Sequence, residues 1–171
     1  MLKPPVPDIL LRSIYDMDAR FVQERGLKLL LLDLDNTIST YESDEPTERL
    51  RTWLREMRLA GAEPFIFSNN RGDRPARFAE KLGIGYVGRA KKPGTLRLKT
   101  LLAEKKISPG ETALVGDQIY TDVLCARRSG VLAVAVEPMD ARKPHRALRY
   151  AAEIPFRLAG KLRRGNRESR R

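Results

Sequence analysis

Hydrophobic and polar positions alternate along this chain in blocks that change period. The first firm block is Lys28–Leu34, with leucine at every position from 29 to 32. A near-continuous apolar run of that length predicts a central parallel strand covered on both faces. After a polar loop, "TYESDEP", Pro46 opens a stretch with Leu50, Trp53, Leu54 and Met57 at i, i+3, i+4 and i+7. That spacing predicts a helix with one buried stripe, stopped at Gly61. "PFIFSNN" predicts a second strand, and "RPARFAEKLG" a helix packed through Phe78 and Leu82 and closed by Gly83. "IGYVG" is a short third strand and "TLRLKTLLAEKK" a helix. "TALVGD" is a fourth strand, "YTDVLCARRSG" a helix stopped at Gly130, and "VLAVAVEP" a fifth strand. Before all these, Pro4, Pro5 and Pro7 stiffen a leader. Asp8 is expected to cap a short helix over Ile9, Leu10, Leu11 and Ile14, and a second short helix to run from Asp18 to Arg25. The segments after Pro144 and Pro155 read as helices with a basic face. Strand and helix alternate throughout, so the expected fold class is α/β, a three-layer Rossmann-like core on a five-stranded parallel sheet.

The ends of the strands change character together. Asp33, Asp35, Asn36 and Thr37 follow the first, and Ser68, Asn69 and Asn70 the second. Lys91, Lys92 and Pro93 follow the third, and Gly116, Asp117 and Gln118 the fourth, with Asp122 one turn further on. Ligands of open α/β sheets gather at the carboxyl ends of strands. Each group alone reads as turn or helix-cap chemistry; on one rim they make a site for phosphoryl transfer. Asp33 and Asp117 supply hard oxygen ligands for Mg2+, with the Asp35 main-chain carbonyl beside them. One carboxylate can attack phosphorus, and another can protonate the leaving oxygen and activate water. Ser68 and the amides near it suit phosphate oxygens, and Lys92 suits the charge on the transferring group.

Composition narrows the setting. The chain has 171 residues, 42% of them hydrophobic and 32% charged, which fits a folded domain with a real core. No apolar run approaches a membrane span of about 20 residues. "MLKPPVPDILLRS" lacks the apolar region and cleavage site of a signal peptide. Cys125 is the single cysteine, so no intrachain disulfide forms and a core position is expected. A cytoplasmic location follows as the expectation. Trp53 is expected in the core, and the sole histidine, His145, at the surface. The net charge of +11 is lopsided. From Arg142 to Arg171 eleven lysines and arginines face two acids, Glu153 and Glu168, so the tail carries +9. The division expected is 1–141 as the catalytic domain and 142–171 as a basic helical tail. Such a tail points to an anionic partner: a lipid surface, a nucleic acid or a ribosome.

The motifs "DLDNT", "SNN", "KKP" and "GDQIYTD", in that order across Lys28 to Pro138, resemble the haloacid dehalogenase-like (HAD) phosphatase superfamily. The resemblance implies Asp33 as nucleophile, Asp35 as acid/base, Lys92 as the third-motif lysine, and Ser68, Asn69 and Thr37 around the phosphate. It implies Asp33, Asp35, Asp117 and Asp122 around the metal. About thirty residues separate Thr37 from Ser68 and about two dozen separate Ser68 from Lys92, too few for a large cap domain. The fuller wording, "RGLKLLLLDLDNTI", "FIFSNN", "RAKKPG" and "LVGDQIYTDVLCARRSG", is similar to the YqeG-like, IIIA-type branch, which includes the mitochondrial phosphatidylglycerophosphatase. That branch often carries Asn-Arg where this chain has Ala126, Arg127 and Arg128. The resemblance implies a phosphomonoesterase with a lipid phosphate such as phosphatidylglycerophosphate as the favoured substrate. The basic tail would then make peripheral contact with anionic lipid, and Phe156, Leu158 and Leu162 would dip into the interface. Two alternatives stay open. One is the same chemistry on a small soluble or macromolecular phosphate. The other is an RNA- or ribosome-associated protein on the same scaffold, ranked lower because no aromatic platform or nucleic-acid motif accompanies the charge.

Overall fold

The computed structural model describes residues 4–140 and 144–168. Its elements, in chain order, begin with β1 (Ile9–Leu11), α1 (Ala19–Glu24), β2 (Leu29–Leu32) and α2 (Glu48–Leu59). Next come β3 (Glu63–Phe67), α3 (Arg74–Leu82), β4 (Gly85–Val87) and α4 (Leu96–Lys105). The last are β5 (Thr112–Gly116), α5 (Leu124–Ser129), β6 (Leu132–Val136) and α6 (Pro144–Glu168).

The sheet has six parallel strands in the order β1-β6-β5-β2-β3-β4. The expectation of five is corrected at the N-terminus, where Ile9–Leu11 is an edge strand rather than a helix. Asp8 does not cap a helix. Its amide donates to the Ala133 carbonyl at 2.9 Å, its carboxylate accepts from the Ala133 amide at 3.0 Å, and it pairs with Arg127. Three apolar residues carry no period of their own, so tertiary pairing with β6 decides their state. Beyond them, Ile14–Asp16 is a single 3-10 turn capped by Ser13.

Period two in β2 explains the four leucines. Leu30 and Leu32 join one core with Leu50, Trp53, Leu54, Met57 and Phe78. Leu29 and Leu31 face the other, with Leu98, Leu101, Leu102 and Cys125. Every one of the four is fully buried, worth about 1.5–3 kcal/mol apiece. Trp53 is satisfied within the core, its indole N–H donating to the Met17 carbonyl at 2.8 Å. Gly83 and Gly130 end α3 and α5 in left-handed conformations, as glycines past a helix commonly do. Between β2 and β3 the chain spends its length on one loop and α2, and no cap domain is inserted.

α6 runs unbroken through Pro155, which is exposed. Phe156 turns inward, edge-on to Tyr120 with ring centroids 5.6 Å apart, rather than outward with Leu158 and Leu162. Arg142, Lys143, Arg170 and Arg171 lie outside the described residues, as do the side chains of His145, Arg146, Arg149, Arg163, Arg164, Arg167 and Glu168.

The Asp8 carboxylate ties β1 to the sheet, so Asp8→Ala is expected to lower the unfolding free energy by about 1–3 kcal/mol. Urea titration measures the loss, and faster amide exchange confined to residues 9–11 would place it at the edge strand.

Candidate active site

β2 stops at Leu32, and the chain then turns sharply. The Asp33 amide still donates to Val115 at 2.9 Å. The amides of Thr37, Ile38 and Ser39 then converge on the Leu34 carbonyl at 3.4, 3.2 and 3.1 Å. Asn36 sits at φ +69°, a left-handed conformation that asparagine tolerates better than most residues. The strand thus leaves regular geometry between its two aspartates.

Their side chains part company there. The Asp33 carboxylate is buried, with Oδ1 accepting from Lys92 Nζ at 2.6 Å and Oδ2 from the Thr37 hydroxyl at 3.4 Å. Asp35 is turned toward Arg74, which pairs with one oxygen, while Asn70 Nδ2 donates to the other at 3.1 Å. Arg74 also reaches Thr40 and Ser43 carbonyls at 2.6 and 2.8 Å and Asp44 at 3.2 Å, lacing the loop after Asp35 onto the start of α3.

Lys92 is held from behind. Asn69 accepts from the Lys92 amide at 2.7 Å and donates to its carbonyl at 2.9 Å. The ammonium donates to Asp33 and to the Phe67 carbonyl at 2.8 Å and pairs with Asp122 Oδ1 at 2.6 Å. Ser68 lies beneath, its Oγ accepting from the Asn70 amide at 3.1 Å. Asp122 comes from the π-helical turn Ile119–Val123, and its other oxygen accepts from the Gln118 amide at 3.0 Å. It nests against Gly116, where an added Cβ would stand 2.3 Å from the carboxyl carbon, so no other residue fits that position undisturbed. One carboxylate oxygen from each of Asp33, Asp117 and Asp122 lies within 4.8 Å of the others.

Of the residues singled out in the sequence, Asp33, Lys92, Asp117, Asp122 and Thr37 meet in this buried knot. Ser68 lies beside it. The Asn69 side chain is spent on the Lys92 backbone and the Asp35 side chain on Arg74 and Asn70. Sequence reasoning missed Arg74, and it placed Asn36 and Asn70 on the rim without giving either a role. Asn36 accepts from the Asp140 amide at 2.7 Å and donates to its carbonyl at 2.8 Å and toward Asp117 at 3.5 Å. Arg127 serves the edge strand through Asp8, away from this cluster. Cys125 is buried, and that burial pushes its thiol up to about 11, which removes it as a nucleophile.

Three carboxylates around one ammonium leave an excess of negative charge in a dry place. Burial pushes Asp33 up to about 8. Lys92 opposes that shift, and Asp122 and Asp117 add to it. Burial alone would lower Lys92, but Asp122 and Asp33 outweigh it and keep the ammonium charged. Three hard oxygen donors so close together fit a divalent cation such as magnesium.

Folded Asp33 holds its proton more tightly than its ordinary 3.8, so the metal-free protein loses stability as pH rises from that range toward about 8. Asp33→Asn is expected to remove this slope. Thermal midpoints of the two proteins should diverge between about pH 5 and about pH 8, with the variant higher at the alkaline end. Saturating magnesium should close the gap by stabilising the native protein, and midpoints that run parallel would contradict the assignment.

A family model described as "Mitochondrial PGP phosphatase" matches residues 3–139. The chain is 30% identical over 159 residues to "Probable phosphatase YqeG" of Bacillus subtilis (strain 168), covering 93% of this chain and 92% of that protein. It is 29% identical over 144 residues to "Phosphatidylglycerophosphate phosphatase 1, chloroplastic" of Chlamydomonas reinhardtii, covering 78% of this chain and 53% of that protein, about half its length. A HAD superfamily (subfamily III A) hydrolase from Legionella pneumophila shares the fold at 16% identity. Its TM-score is 0.53, and the match covers 82% of this chain and 92% of that one.

Proposed function

The chain belongs to the mitochondrial PGP phosphatase family of HAD phosphatases, and on that premise we propose a magnesium-dependent phosphomonoesterase that removes a terminal phosphate from a lipid such as phosphatidylglycerophosphate. The observation that carries the reaction is the knot of Asp33, Asp117 and Asp122 on Lys92. Asp33, Asp117 and Asp122 would hold the ion, with the Asp35 main-chain carbonyl as a further oxygen. Bound there, magnesium supplies Lewis-acid polarisation of the phosphoryl oxygens and offsets the charge of the acids.

The protein's own groups do the rest. Lys92 fixes one Asp33 oxygen and leaves the carboxylate oriented for in-line attack. With its proton given up as the ion binds, an Asp33 oxygen bonds to phosphorus as the ester P–O bond breaks, and the leaving alkoxide takes a proton that Asp35 collects from solvent on leaving Arg74. Asp35 then accepts a proton from water as the water oxygen bonds to phosphorus. The Asp33–phosphorus bond breaks, and inorganic phosphate leaves. Arg74 and Asn70 hold Asp35 at the start, so its carboxyl must rotate toward the ester to take part. The Ser68 hydroxyl keeps its own proton to donate to a phosphate oxygen.

Three features support a lipid substrate. Relatives with that activity in their names match this chain. Among the described residues no cap closes the rim, and Tyr120 and Met139 stand exposed on it. The outer side of α6 presents Leu148, Ile154, Leu158 and Leu162, all exposed, and residues 142–171 hold eleven basic residues and two acids, of which Arg157 and Glu153 are buried. Among the described residues no helix is long and apolar enough to cross a membrane. A bilayer contact would therefore be peripheral, with about 1 kcal/mol from each basic residue near an anionic surface.

Asp33→Asn is expected to lower magnesium-dependent phosphate release by about a thousandfold or more; unchanged turnover sinks the mechanism. Mixed-micelle phosphatidylglycerophosphate should be preferred to sugar phosphates and nucleotides, and the reverse preference removes the lipid reading while leaving the chemistry intact. Leu158→Ser with Leu162→Ser should weaken cosedimentation with phosphatidylglycerol vesicles and leave hydrolysis of a soluble aryl phosphate alone. Binding that persists in the double variant, or retention on RNA at high salt instead of on vesicles, counts against the bilayer contact.

A further inference from the structure

The family match ends at residue 139, yet the helix that follows grips the loop that carries two of the acids. Beyond Gly116 the segment 117–120 connects Asp117 to the turn bearing Asp122, and α6 packs against it. Arg157 Nη2 donates to the Asp117 carbonyl, and Nη1 donates to the Val136 carbonyl at 3.1 Å. Glu153 accepts from the Ile119 amide at 3.0 Å and pairs with Arg157 at 3.3 Å. The Tyr120 hydroxyl donates to the Ala152 carbonyl at 3.2 Å. The loop is therefore held at three successive points by one helix.

The grip is built inside the protein. The side chains of Arg157 and Glu153 are 4% and 2% exposed. Charges that deep persist when each has its counterion and its hydrogen bonds, because removing one strands the other. Arg157 also lies over the Tyr150 ring at 4.7 Å, and Tyr150 in turn donates to Glu137 at 2.5 Å. At the far end of this packing, an added Cβ on Gly160 would stand 2.9 Å from Pro7, so the helix sits close against the domain. Arg157 and Glu153 both meet the backbone segment on which Asp117 and Asp122 are mounted.

We propose that Glu153 and Arg157 are positioning residues, which set the Asp117–Asp122 loop for the divalent cation from outside the family core. This rests on the metal-dependent phosphatase reading above. The groups behind metal ligands are commonly worth about 10- to 100-fold in metal affinity.

The test uses the full chain with Arg157→Met, Arg157→Lys and Glu153→Gln. Calorimetry with magnesium alone gives the dissociation constant, thermal melts without metal report the fold, and hydrolysis of a soluble aryl phosphate at saturating magnesium gives KM. Arg157→Met and Glu153→Gln are expected to weaken magnesium binding about tenfold or more while KM stays within about twofold, with Arg157→Lys between them and native protein. A lower metal-free melting point with unaltered magnesium affinity assigns the pair to stability alone and overturns the proposal. Should Arg157→Met fail to fold, Glu153→Gln, which keeps the volume, decides by the same criterion. Native protein that binds no magnesium overturns the metal-dependent reading itself. Native protein that binds normally beside variants that also bind normally overturns only the positioning role.

Discussion

One buried ammonium holds the centre of this protein. Lys92 stands between Asp33 and Asp122 with no solvent to spread its charge. In a medium of low effective dielectric such a pairing is strong, and so is the repulsion among acids that share it. Everything near it serves to keep that lysine in place. Asn69 clamps its backbone from both sides, the Phe67 carbonyl accepts from its ammonium, and Gly116 leaves the gap that lets Asp122 approach. Burial raises Asp33 in the metal-free protein, and the charges of Asp122 and Asp117 add to that rise. A single cation among three carboxylates leaves the cluster short of positive charge, which invites a divalent ion.

Topology explains why residues far apart in sequence meet there. β2 lies between β5 and β3, so the connections on its two sides run outward in opposite directions. The crevice at such a reversal is where parallel sheets bind ligands. Asp33 leaves β2, Asp117 leaves β5, Ser68 leaves β3, and Lys92 comes from the loop after β4. The leucines of β2 are buried on both faces, so the strand carrying Asp33 is fixed by two cores at once.

Much of this was legible in the sequence, for identifiable reasons. Apolar runs of strand length, helical stripes such as Leu50–Met57, and glycines just past them are local signals with local causes. β1 was not legible, since three apolar residues after prolines specify nothing until β6 is beside them. Arg74 was hidden because its partner Asp35 lies 39 residues away and only the turn at Asn36 brings them together. Glu153 and Arg157 were absorbed into a count of tail charge. A count gives the net sign of a segment but not which of its arginines faces inward. One local signal was present: an acid four residues before a base, set among alanine, phenylalanine and leucine in "AAEIPFRLAG", fits an i,i+4 pair on a buried helix face.

Two aspartates on one strand would normally point to the same face and repel. Here the conflict is resolved by giving each its own cation and by breaking the strand between them. Asp33 belongs to Lys92 and the inner cluster; Asp35 belongs to Arg74 and the outer loop. The left-handed Asn36 makes that separation possible, and its carboxamide at once fastens the new loop to Asp140. Chemistry in two stages needs two carboxyl groups that differ in mobility as well as in place. Asp33 is locked between a buried ammonium and Thr37 and behaves as a fixed point. Asp35 is tied to a partly buried arginine on the loop side, where exchange of partners on substrate entry is cheaper than it would be in the core. The division of labour proposed for the two acids thus rests on which cation each one faces.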